Sequence, residues 1–272
     1  MKILLWIGSA TNHKALANKL SNSFDIEAIV IEKRPCKARR SFIFLFKKIF
    51  ERLLFNPISL SWHKMMRYFD SLYPNYPISN LLFVENINER KVFNFSNKIK
   101  PDLIVVSGTS IVRKELLRVK SKFGIINLHT GLSPYVKGGP NCTNWCISNG
   151  DFHLVGNTVM WIDEGIDSGN IILTEQTNVN WRSSLFNIHL DVMNHAHSLY
   201  EKAIFEILNN TAKNVEQNKI CEGSLFYNKQ WNLKTKMLLI FNLLRIRYNR
   251  QLQQRVSSRK KEVITVSNNF LA

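Results

Sequence analysis

Four short apolar runs recur along the chain: KILLWIG (2–8), IEAIVIE (26–32), DLIVVSGTS (102–110) and GIINLHTG (124–131). A strand apolar on both pleat faces needs cover above and below, which calls for a largely parallel sheet between two layers of helices. The stretches between the runs suit that demand. HKALANKLSNSF (13–24), VFNFSNKIK (92–100) and RKELLRVKS (113–121) read as helices, and strand, helix and strand again fits a right-handed crossover. Downstream, Pro140 can open a helix over CTNWCISNG (142–150) that stops at Asn149-Gly150. LVGNTVMWID (154–163) and NIILTEQ (170–176) read as strands joined by the turn-rich EGIDSG. A long helix is expected over 184–210, then a short strand or turn in EGSLFYNKQWN and one basic helix over 233–256. The predicted fold is α/β, a mostly parallel sheet with flanking helices plus a small, mainly helical, basic C-terminal extension. Its expected division is a domain over 1–210, with a basic insert at about 33–72, and an extension over 211–272.

Ligands of such sheets sit beyond the carboxyl ends of the strands, where SGTS and NLHTG both fall. GSATNH (8–13) lacks a GxGxxG loop, which argues against a dinucleotide at the first strand. Asn127 and His129 alternate across Leu128, so both side chains leave one face of a strand end. There an imidazole can act as a general base, and a carboxamide can donate to an oxygen that becomes negative when a carbonyl is attacked. Asp163, Glu164 and Asp167 are candidates to orient that imidazole. Taken alone, a strand-end histidine is more often structural. His189, His195 and His197 do not repeat at one helical turn, and Cys36, Cys142, Cys146 and Cys221 show no metal spacing, so no metal site is expected.

The net charge of +17 is concentrated. Residues 32–70 hold ten basic against three acidic side chains, and 232–261 hold nine basic and no acidic ones. No run of about eighteen apolar residues is present, which excludes an obvious spanning helix. A cytoplasmic protein is the expectation, with peripheral attachment at the inner face of the membrane as an alternative. FIFLFKKIFERLLF (42–55) and the tail helix mix apolar and basic residues in a way that suits either packing on the domain or contact with an anionic membrane, with nucleic acid less favoured.

The elements Asn127–His129, Leu132–Gly138, Asn149–Asp151 and Asp163–Gly169 resemble, in order and spacing, the signature of the folate-dependent formyltransferases. That family includes glycinamide ribonucleotide, methionyl-tRNA and nucleotide-sugar N-formyltransferases, and the resemblance is clearest from about residue 101 to 176. It implies a Rossmann-like formyltransferase domain, a catalytic set of Asn127, His129 and Asp167, and a 10-formyltetrahydrofolate co-substrate with no metal. It also implies that the pterin lies against Gly108, Thr109, Ser110, Ile111 and Val112 on one side and Ile162, Asp163, Glu164 and Gly165 on the other. HTGLSPY and SLFYNKQW look most like the enzymes of bacterial surface-polysaccharide biosynthesis, which formylate an amino group of a nucleotide-linked sugar. The expected acceptor is therefore a small-molecule amine of that kind. Methionyl-tRNA or another amine, a formyltetrahydrofolate hydrolase, and a non-catalytic binding module remain as alternatives.

Overall fold

The computed structural model describes residues 1–35, 55–139, 141–165 and 167–267. Most of the insert, the apolar-basic run over 42–54, Cys36 and Pro140 lie outside the described residues.

The chain alternates as its apolar runs predict. Strand β1 (Ile3–Gly8) leads into α1 (Thr11–Ser21) and β2 (Ile26–Glu32). After α2 (Asn56–Leu72) come β3 (Leu81–Val84), α3 (Arg90–Ile99), β4 (Leu103–Ser107), α4 (Lys114–Leu117) and β5 (Gly124–His129). The second half holds β6 (Val136–Gly138), α5 (Cys142–Asn149), β7 (Gly156–Trp161), β8 (Ile171–Gln176) and α6 (Leu185–Leu208). The end of the chain adds β9 (Ser224–Phe226), α7 (Leu233–Tyr248) and α8 (Arg250–Lys260).

Seven strands form one sheet in the order β3-β2-β1-β4-β5-β7-β8. The first five are parallel, whereas β7 pairs antiparallel with both β5 and β8. In β1 the pleat sends Ile3, Leu5 and Ile7 to one face, against Leu16 and Leu20 of α1 and Ala196, Leu199 and Ala203 of α6. Leu4 and Trp6 go to the other, against Val92 of α3 and Leu116 of α4. Each such side chain contributes about 1.5–3 kcal/mol by leaving water. Burial on both faces is what made the strand visible as an unbroken apolar run.

Tyr200 of α6 is fully buried between β4 and β5. Its hydroxyl accepts from the Val106 amide at 2.9 Å and shares its proton between the carbonyls of Val106 (2.9 Å) and Ile126 (2.8 Å).

Beyond α6 the chain is stitched back onto the rest. Strand β9 pairs with β6, and Val215 bridges Ile171 of β8. Leu239, Leu243 and Ile246 of α7 share a core with Cys142, Cys146 and Ile147 of α5. Asn242 donates to the carbonyls of Ile147 and Ser148 at 3.1 and 2.8 Å. The expected single tail helix is divided at Asn249, whose backbone is extended (φ −105°, ψ 99°) and whose side chain accepts from the Leu252 amide at 2.9 Å. An Asn side chain competes well for such orphan amides, so it starts a second helix where periodicity suggested continuation. The helix expected over 113–121 shrinks to the four residues of α4. Among the described residues no helix is long and apolar enough to cross a membrane.

Candidate active site

Past the carboxyl ends of β4 and β5 lies a cleft of about 590 Å³, counted out to its open mouth. Val106, Met160 and Trp161 form its inner wall with Asn127. The turn Gly108–Val112 follows β4 along one side, and Ile162, Asp163 and Gly165 with Asp167–Gly169 close the other. Both predicted loops therefore reach one cleft. Glu164 does not line it; that side chain is exposed and sits 3.4 Å from Lys114.

The β4 turn is held from behind. Gly108 has φ +69°, and a Cβ there would stand 2.0 Å from the His13 ring, so the chain needs glycine to turn at this point. The buried Glu32 at the end of β2 accepts from the Ser110 amide at 2.6 Å and the Ile87 amide at 3.0 Å, with Arg34 at 3.0 Å as its counter-charge. Sequence reasoning missed Glu32, although a carboxylate ending an otherwise apolar strand was the available signal.

Asn127 and His129 leave β5 on one pleat face, as period two requires, and fare differently. Asn127 lines the cleft. His129 is 7 % exposed and does not line it, because Asp167 stands in that wall. Asp167 is brought there by the β7–β8 connection, with its backbone in the left-handed region at φ +49°. Aspartate is among the few non-glycine residues that tolerate that region. Its Oδ2 lies 3.3 Å from His129 Nδ1 and accepts from the Gly138 amide at 3.0 Å. Gln217, from the segment after α6, clamps the same turn by donating to the carbonyls of Asp167 and Gly169 at 2.8 and 2.9 Å. Nothing in the local sequence marks Gln217, since the contact spans fifty residues.

The other imidazole nitrogen, Nε2, donates to the Val136 carbonyl at 3.1 Å and faces Cys142 Sγ at 3.5 Å. Thr158 on β7, register partner of His129, fixes the loop that brings Val136 back, accepting from the Ser133 amide and donating to the Gly131 carbonyl, each at 2.8 Å. Gly131 leaves the ring room: a Cβ there would come within 2.3 Å of Nε2.

These contacts favour the protonated ring. A carbonyl and a carboxylate can only accept, so an imidazole between Val136 and Asp167 is bound best with both nitrogens protonated. Burial alone lowers its pKa, but charge at the Cys142 sulfur and the Asp167 carboxylate, with hydrogen bonds to Cys142 and the Val136 carbonyl, outweighs burial and raises it to about 10. With acceptors at both nitrogens and a raised pKa, the ring is favoured as a donor on both sides, set behind Asp167 rather than in the cleft itself. Among the described residues no group of three His, Cys, Asp or Glu side chains could hold a metal ion.

An open α/β sheet with a ligand cleft at its carboxyl edge, a carboxamide in the wall and a histidine-aspartate pair beside it defines the class. Residues 79–204 match the family model described as formyl transferase, so this part of the chain carries that family's domain. The methionyl-tRNA formyltransferase of Clostridium tetani is 30 % identical over 176 residues, covering 59 % of this chain and 56 % of that protein. The chain thus spans about half the length of the curated relatives it matches. Among solved structures, a sugar N-formyltransferase from a Shewanella species superposes with a TM-score of 0.54 at 15 % identity, over 90 % of this chain and 88 % of that one. An N-formyltransferase from Helicobacter canadensis, in complex with folinic acid and dTDP-3-aminofucose, gives 0.53 at 18 % identity, over 92 % and 82 %. At such identities the likeness is one of fold.

Proposed function

We propose that this protein transfers a formyl group from 10-formyltetrahydrofolate to the amino group of a nucleotide-linked amino sugar. The observation that carries this reading is the convergence of Asn127 from β5 and Asp167 from the β7–β8 turn on one cleft, with His129 paired behind Asp167. The cleft suits a flat heteroaromatic ring. Val106, Val112, Met160 and Ile162 supply apolar walls, and the turns at Gly108–Val112 and Ile162–Gly165 bring backbone polar groups to its edges. The folate, when bound, supplies the activated formyl carbon.

The chain's own residues then act on charge and protons. In the reaction the acceptor nitrogen bonds to the formyl carbon, the bond from that carbon to the folate nitrogen breaks, and one proton passes from the amine to the departing nitrogen. The Asn127 carboxamide donates to the formyl oxygen as it gains negative charge. The imidazolium of His129 adds positive potential at the same place and holds Asp167 in its left-handed turn. Asp167, the carboxylate in the cleft wall, accepts the amine's proton and returns it, directly or through a water.

A sugar acceptor is supported by sugar N-formyltransferases of known structure that superpose over most of this chain. Methionyl-tRNA is the second reading, favoured by the curated relatives at about 30 % identity. One experiment separates them: incubation with 10-formyltetrahydrofolate and either a panel of nucleotide-linked amino sugars or charged initiator tRNA, following the mass gain of one formyl group. A formylated sugar nucleotide is expected. Formylation of the tRNA alone overturns the sugar reading, and formate release with no formylated acceptor overturns transfer.

A further inference from the structure

Helix α7 is apolar on two opposite sides. Leu239, Leu243 and Ile246 face inward and are buried. Met237, Phe241, Leu244 and Tyr248, spaced four, three and four residues apart, form a continuous stripe along the other side. These four are 58, 62, 48 and 79 % exposed, with Leu233 at 43 % extending the stripe toward the N-terminus. One apolar face is enough to attach a helix to its core, and among the described residues the second is left exposed.

Charge sets the choice of occupant. Lys234, Arg245 and Arg250 are exposed beside the stripe, and 232–261 contains nine basic residues and no acidic one. We propose that α7 docks this protein on an anionic lipid surface, with Met237, Phe241, Leu244 and Tyr248 entering the acyl boundary and the flanking lysine and arginines meeting lipid phosphates. A ridge of apolar side chains bordered by cations matches a bilayer interface, where the apolar part leaves water and the cations stay at headgroup level. A second copy is the poorer match: a two-fold contact through this face would set two acid-free basic borders against each other. Nucleic acid would leave the protruding Met237 and Leu244 without an apolar partner.

The test is cosedimentation of the full chain with phosphatidylcholine vesicles, with and without phosphatidylglycerol, at low and high salt. Binding only to the phosphatidylglycerol vesicles, weakened by salt, is expected. Phe241→Ser with Leu244→Ser should weaken it about tenfold or more through lost apolar burial. Lys234→Ala with Arg245→Ala should weaken it roughly fivefold per charge removed. All four positions are exposed, and unchanged circular dichroism and melting temperature would confirm that each variant folds. The proposal is overturned if the phosphatidylglycerol vesicles bring down no protein. It also fails if the double-serine variant sediments as well as the parent, which would leave diffuse charge attraction alone. A wild-type dimer in light scattering that the double-serine variant converts to monomer would assign the stripe to a second copy and overturn it as well.

Discussion

His129 at the end of β5 and His189 on α6 are 7 and 3 % exposed, and they are driven to opposite charge states. His189 donates from Nε2 to the Asn144 side-chain oxygen at 2.8 Å, and its Nδ1 faces the Ser61 hydroxyl at 3.3 Å. Burial therefore prevails and lowers its pKa to about 4. His197, two turns further along the same helix, is lowered as well, by burial first and then by Lys19 and His13. His129 meets the same burial, yet it has acceptors on both nitrogens and a carboxylate as one of them. Depth within the protein does not decide the charge of an imidazole here; the partners waiting at its two nitrogens do.

The sharpest way to break the contrast is to remove each ring. His129→Ala and Asn127→Ala should each lower turnover of the folded fraction by about 10²–10³. His189→Ala should instead lower stability and leave turnover of the folded fraction unchanged. If His129→Ala behaved like His189→Ala in a formylation assay with matched unfolding curves, the two sites would be the same kind of place.

A second test acts on the partner. Asp167→Asn should bring the His129 pKa down from about 10 toward the ordinary 6.5, while His189 stays near 4, as imidazole proton resonances would report. A value still near 10 in that variant would assign the shift to Cys142 instead.

The pH dependence of stability should follow opposite signs. His189 has a depressed folded pKa, so its contribution is present above 6.5 and is lost as pH falls toward about 4. That loss amounts to something on the order of 3 kcal/mol. His129 has a raised one, so its contribution is full below 6.5 and is lost as pH rises through about 10. Urea unfolding across pH should therefore show an acid limb that His189→Gln flattens and an alkaline limb that Asp167→Asn flattens. The smallest effect belongs to the folate side of the cleft. Gly108→Ala should cost about 1–2 kcal/mol for an L-residue in the left-handed region, and it should weaken folate binding in calorimetry because the Cβ pushes on the His13 ring.

Much of this was legible in the chain, for identifiable reasons. The central strands β1, β2, β4 and β5 are buried on both faces and so appear as continuous apolar runs. By contrast β3, LLFV, is four residues long with Phe83 55 % exposed at the sheet edge, and it left no comparable trace. Period two placed Asn127 and His129 on one face correctly, but it carries no information about what each nitrogen of His129 meets. Those partners arrive over long separations: Val136 by a loop fixed through Thr158, and Asp167 by the turn between two antiparallel strands. Asp167 itself was reached through resemblance to a family, not through any local pattern. The division at Asn249 was hidden because the residues on either side keep a helical period, and only the capping contact shows that the chain changes direction.

The phenol of Tyr200 gives the crevice a cause that is independent of any occupant. At Val106 and Ile126 the neighbouring strands offer their backbone groups to an inserted hydroxyl, just before the register partners Val106 and Asn127 where β4 and β5 end their pairing. A helix on the far side of the sheet thereby acts as a spacer, keeping the two strand tips apart. The inner wall at Val106 and Asn127 is thus anchored by a contact made from within the fold.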